Sequence, residues 1–356
     1  MPPPLPPNEQ PDDWTEPGAH PVTAGVYRVP LPLPQDGLRA VNVYVMPDID
    51  GLVVVDSGWA APSTESALTT ALGTLGYRLD DVSRVVVTHA HHDHYTQAIA
   101  LRTRFGTKVS IGWGERHSIH AGEEVYAGGE AGVLTRPQLA MLLRCGAPDL
   151  AARYAQYLAR ETTEARDAPW GPPDSWLDDG DVVGLADHKL DVLATPGHTR
   201  GHVVLRDNAN ALLFAGDHVL PHITPSLGFE WVPEPSPLRS FLQSLRLVGD
   251  LPDTLLLPAH GPVTTSVHRR VEELLAHHEA RLDAVVRHVR EGAGTAFQVA
   301  SAMRWTRRER RLDELDTTSQ MLAVLEIEAH LNLLVEHDQL ATATGEDGVV
   351  LYAPRR

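Results

Sequence analysis

The sequence contains a single cysteine, Cys145, and no uninterrupted apolar stretch reaches the roughly 20 residues that a membrane-spanning helix requires. The lone thiol excludes an internal disulfide framework and a cysteine-rich metal cluster, and we expect it to be a small buried hydrophobe. Basic residues are also scarce: 30 Lys and Arg face 47 Asp and Glu, a formal charge of -17. This balance argues against a general affinity for nucleic acid or for anionic membranes.

The N-terminal segment MPPPLPPNEQPDDW lacks the basic and apolar regions of a secretory signal peptide, so we expect a cytoplasmic protein. Its prolines predict a disordered or polyproline-like arm over residues 1–21. With 356 residues, of which 42% are hydrophobic, the chain is long enough for one large domain and a small one.

Strand and helix patterns alternate through the first part of the chain, which indicates an α/β architecture. Short apolar strands run to GLVVVDSG at 51–58, and a further buried strand, RVVVT, covers 84–88. The alternation breaks over 115–176, where PQLAMLLRCG and PDLAARYAQYLARE predict a helical insertion. From 267 to 356 the pattern predicts three amphipathic helices and a terminal strand pair, typical of a small winged-helix-like domain.

Four apolar runs end directly in residue types that bind metals. The candidate ligands are His89, His91, Asp93, His94, His198, Asp217 and His260. Loops beyond the strand ends of an open α/β sheet meet at one edge, so one pocket can collect groups that are far apart in sequence. Imidazole and carboxylate without thiolate are typical of catalytic zinc, iron or manganese sites.

Together these segments resemble the metallo-β-lactamase-fold hydrolases over roughly Val22 to Val267. The motifs that carry the resemblance are HAHHDH (89–94), TPGHT (195–199), GD (216–217) and AHG (259–261). The resemblance implies an αββα sandwich with metals at one edge between the sheets, and a catalytic domain over 22–266 that contains the insertion.

The resemblance also implies two divalent metal ions, with zinc expected first and iron or manganese as alternatives. Metal one would be held by His89, His91 and His198. Metal two would be held by Asp93, His94 and His260. Asp217 would bridge the two ions, and Asp56 in VVVDSG would support the site from behind. Four further histidines are expected near the site but not as ligands: His92, His202, His218 and His222.

Such a pair of metals implies hydrolysis by a shared hydroxide, because coordination lowers the pKa of water from 15.7 toward about 7. Asp217 and Asp93 are the expected catalytic carboxylates, and Asp93 would orient the hydroxide and pass a proton to the leaving group. The family often has a glycine pair where this chain has Tyr95-Thr96-Gln97. Tyr95 either donates a hydrogen bond to a developing oxyanion or packs against the following helix.

The helical insertion is expected to roof the metals, and residues 216–228 to form a second wall of the pocket. Five side chains are candidates for an apolar lining or, alternatively, for the core of the helix pair itself: Tyr126, Met141, Leu142, Tyr154 and Tyr157. A roofed apolar pocket favours a small acyl ester, thioester or lactone as the substrate.

RNA phosphodiester cleavage is the alternative, since Trp305 lies among the arginines of residues 304–311. Against it, 12 Arg face 15 Asp and Glu from Val263 onward, a net charge of -3. A winged-helix regulator with a non-catalytic metal fold would show lost ligands, and a single-iron dioxygenase would not need the second ligand set. We expect a small-molecule substrate, no membrane partner, and a homodimer as a working hypothesis.

Overall fold

The computed structural model describes residues 14–33, 38–127, 136–160 and 168–355, with the side chains of 126 and 127 left aside. A seven-stranded sheet runs in the order β1 to β7, and its strands are β1 (His20–Thr23), β2 (Val26–Pro32), β3 (Ala40–Asp48), β4 (Gly51–Val55), β5 (Val82–Val87), β6 (Lys108–Gly112) and β7 (Ser175–Leu177). A second sheet runs in the order β12-β11-β10-β9-β8, with β8 (Val182–Gly184), β9 (Lys189–Ala194), β10 (Val203–Asp207), β11 (Leu212–Gly216) and β12 (Leu255–Pro258).

Helices cover the outer faces of these sheets. Those of the first part of the chain are α1 (Pro62–Thr74), α2 (His92–Phe105), α3 (Arg116–Ala127), α4 (Pro137–Arg144), α5 (Pro148–Ala159) and α6 (Pro237–Gly249). The remaining elements are α7 (Val267–Arg290), α8 (Ala296–Ala302), α9 (Thr317–Glu336) and the hairpin of β13 (Leu340–Thr344) with β14 (Val350–Pro354). Among the described residues, no helix combines the length and the apolar character that a membrane crossing demands.

The two sheets pack face to face over an apolar layer to which both contribute. Tyr44 and Val86 of the first sheet meet Phe214 and Leu257 of the second, and all four side chains are buried. Helices α1 and α2 cover the outer face of the first sheet, and α6 and α7 cover that of the second. The αββα layering expected from the sequence is therefore confirmed.

Parallel pairing near the centre of each sheet sets where the functional loops begin. Strands β4 and β5 run parallel, with Val55 opposite Val86, so Asp56 and Thr88 leave the sheet at the same edge. Strands β11 and β12 also run parallel, with Gly216 opposite Pro258. Because parallel neighbours end at the same edge, chain segments that are distant in sequence meet there.

The helical insertion predicted for 115–176 contains α3, α4 and α5, and the chain returns to the first sheet at Ser175. Helices α4 and α5 share one hydrophobic core with α7, α8, α9 and the terminal hairpin. Leu158 of α5 and Leu331 of α9, for example, are both fully buried in this cluster. The segments before and after residue 267 are thus joined by a common core.

The predicted arm requires a correction at its C-terminal end. Residues 1–13 lie outside the described part of the chain, but residues 14–21 are ordered. The side chain of Trp14 is buried, its carbonyl accepts a hydrogen bond from Arg28, and His20 pairs with Arg28 in the β1–β2 ladder. A buried indole and an inward arginine anchor this segment, and these contacts outweigh the disorder that its prolines predict.

Candidate active site

All four ligand-bearing loops follow strands, β5, β9, β11 and β12, at the edge where the two sheets meet. His89 and His91 follow β5, and α2 begins at His92 immediately afterwards. Asp217 follows Gly216, whose φ of 49° lies in the left-handed region. A Cβ at Gly216 would lie 2.7 Å from His202 Nε2 and from Thr88 Oγ1, so only glycine fits where the chain turns inward.

The first group of candidate ligands contains His89, His91 and His198, with Asp217 beside them. His89 Nε2 lies 2.9 Å from His91 Nδ1, and His198 Nε2 lies 3.2 Å and 3.1 Å from these two atoms. Asp217 Oδ2 is 3.4 Å from His198 Nε2. A tetrahedral zinc centre with ligands at about 2.0–2.1 Å would separate them by about 3.3 Å, so this spacing fits.

The second group contains Asp93, His94 and His260. His260 Nε2 lies 3.3 Å from Asp93 Oδ2 and 3.4 Å from Asp217 Oδ1, and His94 Nε2 lies 3.7 Å from each of the two carboxylates. Because Asp217 Oδ2 faces the first group and Oδ1 faces the second, its carboxylate lies between the two.

The outer nitrogen of each histidine in these groups has a fixed partner. His91 Nε2 donates to the Phe229 carbonyl at 2.6 Å, and His198 Nδ1 donates to the Ser226 carbonyl at 2.7 Å. His260 Nδ1 similarly donates to the Ala40 carbonyl at 2.8 Å. A carbonyl only accepts, so each of these rings keeps a proton on its outer nitrogen, and its inner nitrogen is the one that can bind a metal.

Asp56 and Thr88 complete this outer layer. Asp56 has a φ of 59°, and its Oδ1 accepts from the Thr88 amide at 2.8 Å while its Oδ2 accepts from His94 Nδ1 at 2.9 Å. The Thr88 hydroxyl donates to Asp56 and lies 3.0 Å from His89 Nδ1. Asp56 therefore hydrogen-bonds His94 directly and reaches His89 through the Thr88 hydroxyl.

The inner atoms, by contrast, lack protein partners. His94 Nε2, His260 Nε2 and Asp217 Oδ1 are buried and have no hydrogen-bond partner within the described residues. A buried polar atom that is left unsatisfied costs about 1–3 kcal/mol or more, so such atoms converging on one point require an explanation. Divalent cations satisfy lone pairs on imidazole and carboxylate, and this donor set fits them.

The electrostatics of the site also favour positive charge at its centre. Burial lowers the pKa of His198 to about 3 and that of His89 well below its usual range. Burial also lowers the pKa of His94 and His260, but the neighbouring aspartates outweigh it and raise the pKa values to about 10 and about 9. Burial raises the pKa of Asp93, yet the surrounding imidazoles lower it on balance. The carboxylates stay ionised and attract cations.

Nearby histidines take other positions, as expected. His92 stacks on Trp59 with ring centroids 5.1 Å apart, and His202 Nε2 accepts from the Asp217 amide at 3.2 Å. His218 is fully buried against Phe241, and His222 lies beside Arg307. Neither ligand group includes any of the four.

Tyr95 does not face the candidate ligands. Its ring is fully buried in the core between the first sheet and its helices, and its hydroxyl donates to the Gly171 carbonyl at 2.6 Å. The proposed oxyanion role is therefore wrong, because the only donor of this side chain is already used. The alternative, that Tyr95 packs against the following helix, also needs correction: Tyr95 belongs to α2 itself, and its ring packs in this core beside Trp170.

The proposed lining residues separate into distinct environments. Leu142 and Tyr154 are buried in the shared helical core, whereas Tyr157 is 43% exposed, and the side chain of Tyr126 lies outside the described residues. Met141 lines a cavity of about 340 Å³ together with Leu227 and Gly228. The predicted wall over 216–228 therefore contributes to this cavity through its last two residues.

This cavity lies between α4, the loop 227–237 and α9. Apolar side chains such as Ala140, Met141 and Leu325 form much of its wall, and Arg144, Glu234 and Glu328 supply charge. Its volume is near the lower end of the roughly 300–1,000 Å³ of small-molecule sites. Leu227 and Gly228 are flanked in sequence by Ser226 and Phe229, whose carbonyls orient His198 and His91.

Several supporting groups could not be found from the sequence. The carbonyls of Ala40, Ser226 and Phe229 carry no side-chain signal, since any residue supplies a carbonyl. Glu115 and Glu230, both buried behind the candidate ligands, lie outside every motif. The only sequence signal for a role of these two residues in the site is that they are acidic residues among apolar or helical neighbours.

The layered fold and the His/Asp clusters define a metal-dependent hydrolase. The sequence profile of the Metallo-beta-lactamase superfamily matches residues 36–260, more than half of the chain, and the protein belongs to this superfamily. It is 25% identical to "Probable metallo-hydrolase YqjP" of Bacillus subtilis (strain 168) over 335 residues, 91% of this chain and 96% of that protein.

Two solved structures resemble nearly the whole chain. A metallo-beta-lactamase family protein from Thermus thermophilus superposes with a TM-score of 0.76 at 27% identity, covering 94% of this chain and 99% of the other. A beta-lactamase domain protein from Burkholderia ambifaria gives a TM-score of 0.72 at 27% identity, covering 94% of both chains. These matches extend beyond the sandwich, so the two relatives share most of the helical additions.

Proposed function

We propose that this protein is a dinuclear metallo-hydrolase of small acyl esters, thioesters or lactones. Seven candidate ligands converge in two adjacent groups, and three of their buried inner atoms, His94 Nε2, His260 Nε2 and Asp217 Oδ1, have no hydrogen-bond partner among the described residues; this observation carries the proposal. His89, His91 and His198 would hold one ion, Asp93, His94 and His260 the other, and Asp217 both. Divalent ions held there, with zinc as our first choice, would supply Lewis-acid chemistry that makes water a nucleophile near neutral pH.

The chain's own residues orient the reactants and move the proton. The Asp93 side chain is 16% exposed, the most open of the three carboxylates at the site, so it can reach a substrate. Its carboxylate stays ionised and can accept the proton of the attacking water and return it to the leaving group. Asp56 and the carbonyls behind the imidazoles keep the ligand atoms aimed inward.

The cavity supports an uncharged acyl group as the variable part of the substrate. Its walls are mainly apolar, Arg144 is already paired with Glu328 at 2.7 Å, and Glu234 adds a further acidic group. A polyanion would meet acidic side chains here and a protein of charge -17 overall. A small acyl compound meets neither obstacle.

The RNA alternative draws little support from residues 304–311. Trp305 is only 7% exposed, its indole donates to the Ala300 carbonyl at 2.9 Å, and Arg281 covers its ring. A ring held in this way cannot stack on a base. Phosphodiester cleavage therefore stays second, although α7, α8, α9 and the hairpin fit the composition of a winged-helix-like unit.

The test is metal analysis of the purified protein, followed by a panel of thioesters, lactones, a β-lactam and a bis-aryl phosphate. We expect close to two divalent ions per chain and turnover of at least one uncharged acyl substrate that stops on chelation. Turnover of the phosphate alone would reverse the ranking. A protein that takes up no metal would contradict the proposal entirely.

A further inference from the structure

Two acidic side chains are buried directly behind the candidate metal ligands. Glu115 is 0% exposed and Glu230 is 5% exposed, although neither forms an ion pair with a lysine or arginine in the described residues. Burying a carboxyl group is costly unless hydrogen bonds compensate for the lost water. The hydrogen bonds of this pair lead to the loops that carry His89, His91 and His198.

Glu115 connects two ligand loops. It ends a short 3-10 turn, Trp113–Glu115, that follows β6. Its Oε1 accepts a hydrogen bond from the hydroxyl of Thr199, the residue after His198. The backbone amides of Ala90, between His89 and His91, and of Gly201 also lie against its carboxylate.

Glu230 connects a third loop to the same place. Its Oε2 accepts from the Ser118 hydroxyl and from the Arg200 amide, each at 3.2 Å. Its carbonyl accepts from Gln138 Nε2 of α4 at 2.9 Å. Phe229, the preceding residue, supplies the carbonyl that orients His91. Glu230 thus ties the supporting loop to both the 198–201 loop and the helical insertion.

Close backbone packing makes this connection rigid. A Cβ at Gly201 would lie 2.0 Å from the Glu115 amide nitrogen, and one at Gly114 would lie 2.6 Å from Gly201 Cα. The two segments therefore touch through their backbones, which only glycine allows at these positions. The Glu115 segment therefore packs directly against the 198–201 loop, and Glu230 reaches the same loop through its hydrogen bond from the Arg200 amide.

We propose that Glu115 and Glu230 are paired positioning residues that hold the 198–201 and 226–230 loops together, and through them aim His91 and His198. The proposal rests on the metal-binding role assigned to those histidines. Neither glutamate belongs to the four metal-binding motifs found in the sequence.

The protonation of the pair supports this role. Burial raises the pKa of Glu115 to about 7, and burial with the charge of Glu115 raises the pKa of Glu230 to about 8. Arg200 faces both carboxyls and offsets part of this effect. Glu115 Oε2 and Glu230 Oε1 have no hydrogen-bond partner among the described residues. If both carboxyl groups were ionised, their negative charges would repel each other. Near neutral pH the pair therefore retains a proton.

The sign of the resulting pH dependence is fixed. Between the ordinary carboxyl pKa of 4.5 and about 8, the folded protein holds a proton on Glu230 that the unfolded chain has lost. Stability must then decrease as the pH rises through this window. Glu230→Gln has no proton to lose, so it removes this part of the slope.

The first experiment measures Tm of the metal-free full chain at pH 6 and pH 9. We expect the decrease in Tm to be smaller in Glu230→Gln than in the wild type, and the variant to be the more stable protein at pH 9. Glu272→Gln, an exposed position on α7, is the matched control and should follow the wild type. Equal decreases in all three proteins would overturn the proposal.

The second experiment measures zinc affinity at pH 7 by chelator competition. Glu230→Gln should bind within about threefold of the wild type, because the amide keeps the hydrogen-bonding shape of the protonated acid, whereas Glu230→Ala should bind about 10- to 100-fold more weakly. A folded Glu230→Ala protein with wild-type affinity would overturn the proposal. If the alanine variant does not fold, the Tm comparison decides. Loss of all zinc binding in the wild type would instead contradict the proposed function.

Discussion

Two regions of this protein are each assembled from segments far apart in sequence, but one is built from polar groups and the other from apolar side chains. At the sheet edge, buried imidazoles and carboxylates converge, and three of their inner atoms lack a hydrogen-bond partner among the described residues. In the core shared by the insertion and the C-terminal helices, apolar side chains such as Leu158 and Leu331 converge with no such unsatisfied need. The first region has the donor set of a cation site, and the second is held together by apolar contacts.

The contrast separates function from stability. Removing a side chain from the apolar core creates a cavity and weakens folding directly. Removing a side chain at the sheet edge takes away a candidate ligand and leaves the apolar core intact. Variants in the two regions should therefore differ in which property they change.

The largest effect is expected at the ligands themselves. Asp217→Asn or His91→Ala should reduce hydrolysis to the background rate, because each change removes an inner atom of the site. Turnover and metal content per chain are the measurements. Asp50→Asn and His120→Ala, at exposed positions, are matched controls and should leave both unchanged. Full activity in Asp217→Asn or His91→Ala would show that the sheet-edge residues are not needed for hydrolysis, which would contradict the functional difference between the two regions.

A smaller effect, on stability and not on metal binding, is expected in the helical core. Leu158→Ala should lower the free energy of unfolding by about 2–5 kcal/mol, since a fully buried leucine is lost, with little change in zinc affinity. Leu143→Ala, at a 52% exposed position of the same insertion, should stay within about 0.5 kcal/mol of the wild type. Denaturant titration measures both. A large loss of zinc affinity in folded Leu158→Ala would show that the regions are coupled.

The smallest effect is expected one layer behind the ligands. Asp56→Asn places an amide where the carboxylate accepts from both Thr88 and His94, so one of those donors then faces another donor. Metal affinity should fall about 10- to 100-fold while the fold persists. Chelator competition checks this value. An unchanged affinity would mean that Asp56 shapes the turn through its φ of 59° and does not orient His94.

The sequence predicts these two regions unequally. Ligand types at the ends of apolar runs were visible because parallel strands deliver their loops to one edge, and the four motifs named the candidates. The carbonyls of Ser226 and Phe229 were not visible, because every residue has one. The amphipathic pattern of α4 and α5 predicted helices but not their partner, since an apolar face does not specify what covers it. Hence Leu142 and Tyr154, candidates for the pocket, belong to the core.

Anomalous diffraction from crystals grown with zinc or manganese tests the central claim most directly. We expect two anomalous peaks about 3.5–4 Å apart on either side of Asp217. One should lie within ligand distance of His89, His91 and His198, and the other within ligand distance of Asp93, His94 and His260. Well-ordered density for these side chains with no anomalous peak between them, in saturating metal, would contradict it.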